Sequence, residues 1–351
     1  MQMWNDSHGG GMRMSSIQDV ARLAGVSKTL VSRVINGQTG VSEKSREKIL
    51  QAMRELQYRP NGIARSLVLK RTNTIGVALD SLCEPYFFEL IEGIEQVVAQ
   101  TDYDVVFCSG RNSKKLKNRS IQYFAQGRTD GVIIYGSKLD DEEIILQLQK
   151  SGFPFVVVEN DLANLQINNI VVDNEFGAGQ AVDHLIACGC RSIIHMSGNR
   201  DVRAALDRQN GFIVAMQRRG FTIHSDMLVR ADFSIEGSYE ATRDFFHRCP
   251  AAERPDGIFC SSDKTAYGTI LALQEMGIRV PEDVMIVGFD DDRPPMLEVR
   301  LPKLTTLSQP LRDMGSAAVR LLLEELEGES AHKRRLVFYP QLIVRETTRP
   351  R

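Results

Sequence analysis

The pattern of hydrophobic and polar residues near the N-terminus predicts two short helices that meet at a tight corner. Each helix carries an apolar stripe at helical spacing; the stripes are Val20, Ala21, Ala24 and Val31, Val34, Ile35. Gly25 lies where the chain must turn sharply, because glycine tolerates conformations that strain other residues. Val26 fills the corner, and Ser27 is a typical N-cap for the second helix. We therefore predict a helix-turn-helix.

The outer face of the second predicted helix is cationic and rich in hydrogen-bond donors. Its residues are Lys28, Thr29, Ser32, Arg33 and Asn36. Such a face suits a helix that enters the major groove of DNA. A helical hairpin with an ordinary polar surface would show the same pattern, so the motif alone leaves both interpretations open.

Charge is divided unevenly along the chain. Residues 12–71 carry 12 Lys and Arg against 4 Asp and Glu, a net charge of +8, whereas the whole chain of 351 residues has a net charge of −2. The remainder is therefore strongly acidic. A basic segment joined to an acidic body favours a polyanionic partner for the N-terminal end, which supports the DNA-binding interpretation.

A third helix is predicted at about residues 43–57, with Ser42 as its cap. Its buried stripe would comprise Ile49, Leu50, Met53 and Leu56. Pro60 then disfavours helix at the preceding residue. The basic segment 62–67 could form fewer than two helical turns, which is too short to be stable alone. This segment is a candidate for folding on a partner, and residues 70–73 complete the linker.

From Thr74 onwards, short β-branched apolar runs alternate with amphipathic helical stretches. The runs predict strands at Ile75–Leu79, Val105–Cys108, Gly131–Tyr135, Phe155–Val158, Ile170–Val172, Ser192–Met196, Gly257–Cys260 and Met285–Gly288. The helical stretches include Phe88–Gln100, Gly177–Ala187, Arg208–Arg219 and Lys264–Met276. This alternation is typical of doubly wound α/β domains, which bind ligands beyond the carboxyl ends of their strands. Roughly 270 residues exceed one such unit, so we expect two lobes and a cleft.

Composition indicates a globular protein of two or three domains. Hydrophobic residues make up 42% of the chain and charged residues 25%. No apolar run is long enough to span a membrane, and the N-terminus lacks the basic start and apolar stretch of a secretory signal. We therefore expect a cytoplasmic protein with a flexible leader at residues 1–14 and no membrane partner.

No motif in the sequence predicts an enzyme, a cofactor or a metal site. No Gly-x-Gly-x-x-Gly sequence opens the first βα unit, and Walker, Gly-x-Ser-x-Gly and His-Glu-x-x-His sequences are absent. Cys188 and Cys190 lie at a predicted helix end without a second pair of ligands at metal-binding spacing. We therefore expect no catalytic residue, cofactor or metal.

Several motifs are similar to those of the LacI/GalR family of bacterial transcriptional regulators. In the N-terminal part these are Ile17–Ala21, Ser32–Gly37, Val41–Ser42 with Arg46, Tyr58–Asn61 and Ala64–Leu67. In the body they are Thr74–Val77, Glu84–Phe88, Val172–Asn174 with Gly177, Phe259–Asp263, Gly288–Asp291, Leu304–Leu307 and Arg345–Thr348. They occur in the order of that family and span the chain from about Met14 to its end.

The resemblance implies an α plus α/β architecture with three parts. A helix-turn-helix DNA-binding headpiece would occupy residues 15–60, a hinge helix and linker 61–73, and a two-lobed periplasmic-binding-protein-like core 74–351. Because the chain of that family crosses between the lobes three times, approximate bounds follow: N-lobe 74–160 and 305–333, C-lobe 161–304 and 334–351. The family works as homodimers on near-palindromic operators, and we expect a dimer because no C-terminal heptad segment is present.

The resemblance also implies roles in DNA binding. Lys28, Thr29 and Arg33 match positions whose side chains reach base edges, with phosphate contact or solvation as the alternative. The residues implied to position phosphates, whose alternative role is helix capping or solvation, are Ser27, Asn36, Ser42 and Ser45. In the hinge, Leu67 would wedge open a base step in the minor groove, and its implied companions are Asn61, Ala64 and Arg65.

A ligand site between the lobes is implied as well. Arg208 and Asp290 match a charged pair that grips ligand hydroxyls or carboxylates in relatives. The other implied site residues are Tyr86, Phe87, Glu159, Phe259 and Asp263. Asp263 has an alternative role as the cap of the following helix. Asp80 and Glu84 replace a more usual Pro and Asn, and their charge disfavours an anionic effector, so we expect a neutral sugar or polyol.

The leading functional interpretation is a regulator, most simply a repressor, whose operator binding is controlled by a small molecule. A solute-binding protein of the transport type would share the two-lobed core, but it would carry a signal peptide and no basic headpiece. An enzyme on an α/β scaffold would need a nucleophile and a base, and no such pair is found. The sequence does not identify the effector or the operator. It also leaves open whether the effector releases the protein from DNA or tightens its binding to DNA.

Overall fold

The chain forms two compact units that divide between Thr72 and Asn73. The computed structural model describes residues 15–36, 38–58, 71–136, 138–160, 162, 165–294, 297, 300–329 and 332–350. The expected leader at 1–14 and the expected hinge helix at 61–67 lie outside the described residues. Within the described part of the chain, no helix combines the length and apolar character needed to cross a membrane.

The N-terminal unit contains three helices: α1 (Ile17–Ala24), α2 (Lys28–Ile35) and α3 (Glu43–Glu55). Gly25 ends α1 in the left-handed conformation with φ 64°, and the Ser27 hydroxyl accepts a hydrogen bond from the amide of Leu30. Val20, Val31 and other members of the predicted stripes are buried against α3. The predicted corner and its cap are therefore confirmed.

The third helix differs from its prediction in two respects. It ends at Glu55, and Gln57 adopts φ 48°, which a helix does not continue. Leu50 is 42% exposed, whereas Ala52 is buried beside Ile49. The reason is helical periodicity, because residues 49, 52, 53 and 56 share one face and Leu50 lies about a quarter turn away from it.

The larger unit contains two six-stranded sheets. The strands are β1 (Thr74–Leu79), β2 (Asp104–Ser109), β3 (Gly131–Tyr135), β4 (Phe155–Val158), β5 (Asn168–Val172), β6 (Ile193–Ser197), β7 (Leu228–Arg230), β8 (Gly257–Cys260), β9 (Met285–Asp290), β10 (Thr305–Ser308), β11 (Arg335–Phe338) and β12 (Gln341–Ile343). One sheet has the order β11-β5-β4-β3-β1-β2 and defines the N-lobe; the other has the order β12-β10-β9-β8-β6-β7 and defines the C-lobe. Only the β10–β12 pair is antiparallel among these described strands.

Helices cover the faces of the sheets, as the βαβ pattern predicts. They are α4 (Phe88–Val98), α5 (Lys114–Ala125), α6 (Glu142–Ser151), α7 (Asn174–Ala187), α8 (Arg203–Arg218), α9 (Ile235–Arg248), α10 (Asp263–Glu275) and α11 (Leu311–Glu327). Each sheet has a buried apolar cluster on both of its faces. The prediction of two doubly wound α/β lobes is confirmed.

The expected lobe boundaries are wrong at all three crossings. The chain leaves the N-lobe sheet after Val172, returns after Ser308 and leaves again after Phe338. Strand β5 therefore belongs to the N-lobe and β10 to the C-lobe, and β11 pairs with β5 in the N-lobe. Nothing in the sequence of these short strands assigns them to one sheet, so only the tertiary hydrogen bonding distinguishes the alternatives.

The N-lobe is completed by α11, which the chain supplies after its second crossing. Two glycines allow α11 to pack closely on α4. A Cβ at Gly93 would lie 2.0 Å from the carbonyl oxygen of Arg312, and a Cβ at Gly315 would lie 2.2 Å from that of Leu90. Larger residues at either position would force the two helices apart.

Candidate functional site

The carboxyl ends of strands from both lobes surround a cavity of about 720 Å³. The loop after β1 contributes Tyr86 and Phe87, the end of β4 is followed by Glu159, and β9 ends at Asp290. Helix α8 contributes Arg208 from the C-lobe. The structure thus brings together five of the seven core residues that the sequence predicts, at the edge where parallel α/β sheets bind ligands.

Arg208 is held rigidly at one wall of the cavity. Its Nε donates to Asn174 Oδ1 at 2.9 Å, and its Nη1 donates to the carbonyl oxygen of Ser261 at 2.6 Å and to Asp290 Oδ1 at 3.1 Å. The guanidinium carbon lies 3.6 Å from the centre of the Phe289 ring. Only 3% of Arg208 is exposed. These contacts orient the guanidinium before any ligand arrives.

A chain of hydrogen bonds links Asp290 to the N-lobe. Gln309 Nε2 donates to Asp290 Oδ1 at 2.7 Å, and Gln309 Oε1 accepts from the Tyr86 hydroxyl at 3.3 Å. The Tyr86 hydroxyl also lies 3.1 Å from that of Tyr135. Because Gln309 follows β10 at a crossing, this chain connects the two lobes through the cavity wall. Sequence reasoning missed both Gln309 and Tyr135.

Aromatic rings form the N-lobe wall of the cavity. The ring centres of Phe87 and Tyr135 are 4.9 Å apart, and those of Tyr86 and Phe87 are 5.2 Å apart, both in edge-to-face arrangements. Burial raises the pKa of the Tyr86 and Tyr135 phenols well above the ordinary value, and the charge of Glu159 adds to this effect. Both tyrosines are therefore neutral hydrogen-bonding groups at pH 7.

Two carboxyl groups in the cavity have strongly raised pKa values. Burial raises the pKa of Glu159 to about 7, although the nearby charge of Arg208 and a hydrogen bond from the amide of Val172 oppose this shift. Burial likewise raises the pKa of Asp290 to about 6, again against the influence of Arg208. Glu159 also adopts φ 67°, an unusual conformation that aims its side chain from the strand end.

Phe259 and Asp263 do not line the cavity, so the structure does not bring them together with the other five predicted ligand-binding residues. Phe259 stacks on His195 inside the C-lobe, with ring centres 4.9 Å apart. Asp263 Oδ1 accepts from the Thr306 hydroxyl at 2.5 Å, and Oδ2 accepts from the amide of Asp292 at 2.8 Å. These bonds fix the strand ends, so both residues support the site from beneath. The cap of α10 is Ser262.

Further contacts join the lobes beside the cavity. The ammonium of Lys264 on α10 forms an ion pair with Glu84 of the N-lobe loop. The amide of Leu139 donates to the carbonyl oxygen of Asp201 at 2.9 Å. Sequence reasoning did not assign Lys264, Asp232 or Phe233 to the lining, because these residues lie in loops or helix starts that carry no motif.

In the N-terminal unit, the outward face of α2 is solvated as predicted. Ser27, Lys28, Thr29, Arg33 and Ser42 are exposed, and Asn36 and Ser45 are half-buried. The Ser27 and Ser42 hydroxyls cap α2 and α3 respectively. Asn36 Nδ2 lies 3.3 Å from the Ser32 hydroxyl. The hinge candidates Asn61, Ala64, Arg65 and Leu67 lie outside the described residues.

Comparison with known proteins assigns the chain to a family. Bacterial regulatory proteins of the lacI family match residues 16–61, and the periplasmic binding protein-like domain matches residues 182–348. The ribose operon repressor of Halalkalibacterium halodurans is 35% identical over 336 residues, which cover 96% of this chain and 98% of that protein. This chain belongs to the LacI family.

Other members of the LacI family match over almost the whole chain. The transcriptional repressor PurR of Photobacterium profundum is 31% identical over 337 residues, or 96% of this chain and 99% of that protein. A crystal structure of the lac repressor dimer bound to operator and the anti-inducer ONPF superposes with a TM-score of 0.83 at 28% identity, covering 95% of this chain and 99% of that one. The LacI-family fold therefore accounts for both units, and the chain is a DNA-binding transcriptional regulator.

Proposed function

We propose that a sugar or polyol bound between the lobes of this LacI-family regulator controls the affinity of its headpiece for operator DNA. The observation that carries this proposal is the cavity between the two sheets, where Arg208 and Asp290 form an oriented donor–acceptor pair beside aromatic rings. Aromatic faces and paired charged groups suit a ligand that is dense in hydroxyls and has apolar ring faces. The name of the ribose operon repressor relative agrees with this class.

Each polar group of the cavity has a proposed role toward the ligand. Arg208 donates to ligand oxygens, and Asp290 and Glu159 accept from ligand hydroxyls. Tyr86 and Phe87 cover one face of the ligand. Because N-lobe and C-lobe groups contact the same ligand, its binding favours the closed arrangement of the lobes over an open one. This differential affinity is the coupling that allosteric control requires.

For the headpiece, we propose that α2 enters the major groove of the operator. Arg33 would donate two hydrogen bonds to a guanine, and Lys28 and Thr29 would contact neighbouring bases. The residues proposed to position phosphates are Ser27, Asn36, Ser42 and Ser45. In the segment between the units, Leu67 would wedge open a base step in the minor groove, supported by Asn61, Ala64 and Arg65.

We further propose that the regulator works in the cytoplasm, because its partner is chromosomal DNA.

We also propose that the regulator acts as a homodimer on a near-palindromic operator. Large apolar side chains exposed in the N-lobe include Phe88, Val106 and Leu116. Single exposed hydrophobics are ordinary, but a subunit interface would bury side chains of this kind. Sedimentation at micromolar concentration should therefore give the mass of two chains.

The decisive experiment has two stages. Thermal unfolding of the full chain is first followed with a panel of sugars, polyols and purines, since saturating ligand stabilises by about 3–4 kcal/mol at 100–1,000 times its Kd. Binding to an operator selected from random-sequence DNA is then measured with each hit. A sugar hit that changes operator affinity supports the proposal. A panel in which only purines, or no small molecule, stabilise the protein contradicts the proposed effector class.

The hinge assignment has its own test. Leu67→Ala should weaken operator binding and reduce DNA bending, while Leu67→Met should retain most of both. If neither the affinity nor the bend changes in Leu67→Ala, the proposed wedge is wrong, whatever the effector proves to be.

A further inference from the structure

The side chains that line the cavity carry an excess of negative charge. The acidic residues in the lining are Asp80, Glu84, Glu159, Asp232, Glu236, Asp290 and Asp292, and the basic residues are Lys138, Arg208 and Lys264. Beneath the lining, Lys117 forms ion pairs with Asp80 and Asp141. Asp80 is already counted in the lining, so Lys117 and Asp141 add one positive and one negative charge and leave the excess unchanged. A cleft lined mainly by one sign of charge concentrates ligands of the opposite sign.

The basic groups of the lining are already engaged within the protein. Arg208 is paired with Asp290, and Lys264 is paired with Glu84. The ammonium of Lys138 donates to the carbonyl oxygen of Asn112 at 3.4 Å. For two of these three cations, a carboxylate or phosphate on the ligand would meet a charge that a protein carboxylate already balances. Anionic ligands are disfavoured for this reason as well as by the excess charge.

Two acidic groups of the lining, by contrast, accept hydrogen bonds from neutral groups. Glu159 accepts one hydrogen bond from the amide of Val172, and Asp232 accepts from the amide and hydroxyl of Ser234 at 2.8 and 2.6 Å. Over the described ranges of the chain, no basic side chain forms an ion pair with Glu159, Asp232 or Asp292. Glu159 matters most, because it is only 4% exposed. Burial of a carboxylate outside an ion pair is costly, and this burial raises the pKa of Glu159 even though the nearby charge of Arg208 opposes the shift.

The aromatic wall lines the same cavity as this carboxyl group. Tyr86, Tyr135 and Glu159 all belong to the lining, and the charge of Glu159 adds to the raised pKa of both phenols. Phe87 packs edge-to-face against Tyr135. Aromatic faces attract ammonium groups as well as apolar sugar faces, and this attraction is strongest where water is excluded. Glu159 and the rings together form a place for a cation on the ligand.

We propose that the ligand of this cavity is an amino-substituted sugar or polyol whose ammonium group lies against Glu159 and the aromatic wall. This inference rests on the proposed function, because it narrows the class of the same ligand. The hydroxyls of the ligand would be held by Arg208 and Asp290, and its ammonium group would form the ion pair that Glu159 does not make with any described residue. The neutral ligand expected from the sequence is thereby replaced by a cationic one.

Matched ligand pairs test the proposal by calorimetry on the full chain. The probes are glucitol against 1-amino-1-deoxyglucitol, and glucose, galactose and mannose against their 2-amino forms and N-acetylated 2-amino forms. In at least one pair, the ammonium-bearing member should bind about tenfold or more tightly than the hydroxyl and N-acetyl members. Glu159→Gln, which keeps the shape of the side chain, should reduce this preference to about threefold or less.

The control variant is Asp183→Asn, which removes a surface carboxylate paired with Arg219 at 2.8 Å outside the cavity. It should leave the preference unchanged. Equal or tighter binding of the hydroxyl member overturns the present inference and leaves the proposed sugar effector intact. If Glu159→Gln keeps the full preference for the ammonium-bearing ligand, the placement of the ammonium group against Glu159 is overturned. If no member of any pair binds while operator binding persists, both the amino group and the sugar class are overturned.

Discussion

Arg33 and Arg208 illustrate two ways in which this protein uses an arginine. Arg33 is exposed on α2, and water surrounds it until another molecule arrives. Arg208 is buried on α8, and its guanidinium is already held by Asn174, Ser261 and Asp290. The exposed arginine is proposed to bind DNA and has little part in folding, whereas the buried one is held within the fold and is also proposed to bind the ligand. Substitutions should therefore separate stability from binding in the headpiece but not in the cleft.

The largest effect is expected for Arg208→Ala. Removing the guanidinium leaves the buried carboxylate of Asp290 without its cation, which typically costs about 3–5 kcal/mol of unfolding free energy. Ligand binding should be lost with it. Chemical denaturation measures the first effect and calorimetry the second. Arg219→Ala, which breaks a half-exposed pair, should change stability by less than about 1 kcal/mol. Equal losses of unfolding free energy in Arg208→Ala and Arg219→Ala would contradict the proposed difference between a buried and an exposed arginine.

The second effect concerns pH. Burial raises the pKa of Glu159 from 4.5 to about 7, so the folded protein holds a proton that the unfolded chain releases. This contribution to stability is present below about pH 4.5 and is lost as the pH rises to 7, by at most about 3 kcal/mol. Glu159→Gln should flatten the slope of unfolding free energy against pH between 5 and 7.5. Glu236→Gln, an exposed carboxyl in the same cavity, should not.

Arg33→Ala tests the exposed side of the comparison. Its unfolding free energy should stay within about 0.5 kcal/mol of the parent, because the side chain is exposed. Its operator affinity should fall by about 1–3 kcal/mol, and discrimination at one base pair should relax. Band shifts with single-base operator variants measure both. A uniform loss over all base pairs would assign Arg33 to a phosphate instead.

The smallest effect is expected for Tyr86→Phe. The ring remains in the aromatic wall, but Gln309 loses one hydrogen-bond donor, which typically costs about 0.5–1.5 kcal/mol. Ligand affinity should fall only a few-fold. Tyr123→Phe removes a hydroxyl from a ring that is 51% exposed and should leave both quantities unchanged. If Tyr123→Phe loses more stability than Tyr86→Phe, the hydrogen bonds that run from Tyr86 through Gln309 to Asp290 do not stabilise the protein.

The headpiece was predictable from sequence because its information is local. Gly25 and Ser27 act on residues within one helical turn, and helical spacing alone distinguishes the buried face of α2 from the exposed one. Helical spacing also explains why the prediction that Leu50 is buried was wrong, since Leu50 lies outside the buried face of α3. The predicted base and phosphate contacts stay predictions.

The lining of the cleft was predictable only in part, because its residues are far apart in the sequence and come together only when the two sheets fold. Tyr86, Phe87, Glu159, Arg208 and Asp290 line the cavity as expected. Phe259 lies within β8, and alternation along that strand turns its side chain into the C-lobe. Asp263 begins α10, and its carboxylate is held by the Thr306 hydroxyl and the amide of Asp292. Gln309 follows β10 at the second crossing, and Lys264 on α10 meets Glu84 only across the two lobes, so local sequence does not show the place of either residue. The lobe boundaries failed for the same reason.

The close packing of α4 and α11 bears on how the protein is made. The headpiece uses only contiguous residues, so a ribosome can release a foldable headpiece early. The N-lobe cannot close at that stage, because α11 emerges roughly 200 residues after α4 and only after most of the C-lobe strands. Until then, the face of α4 around Gly93 has no helix to cover it. The nascent regulator thus acquires a DNA-binding surface long before it acquires the lobe that is proposed to control it.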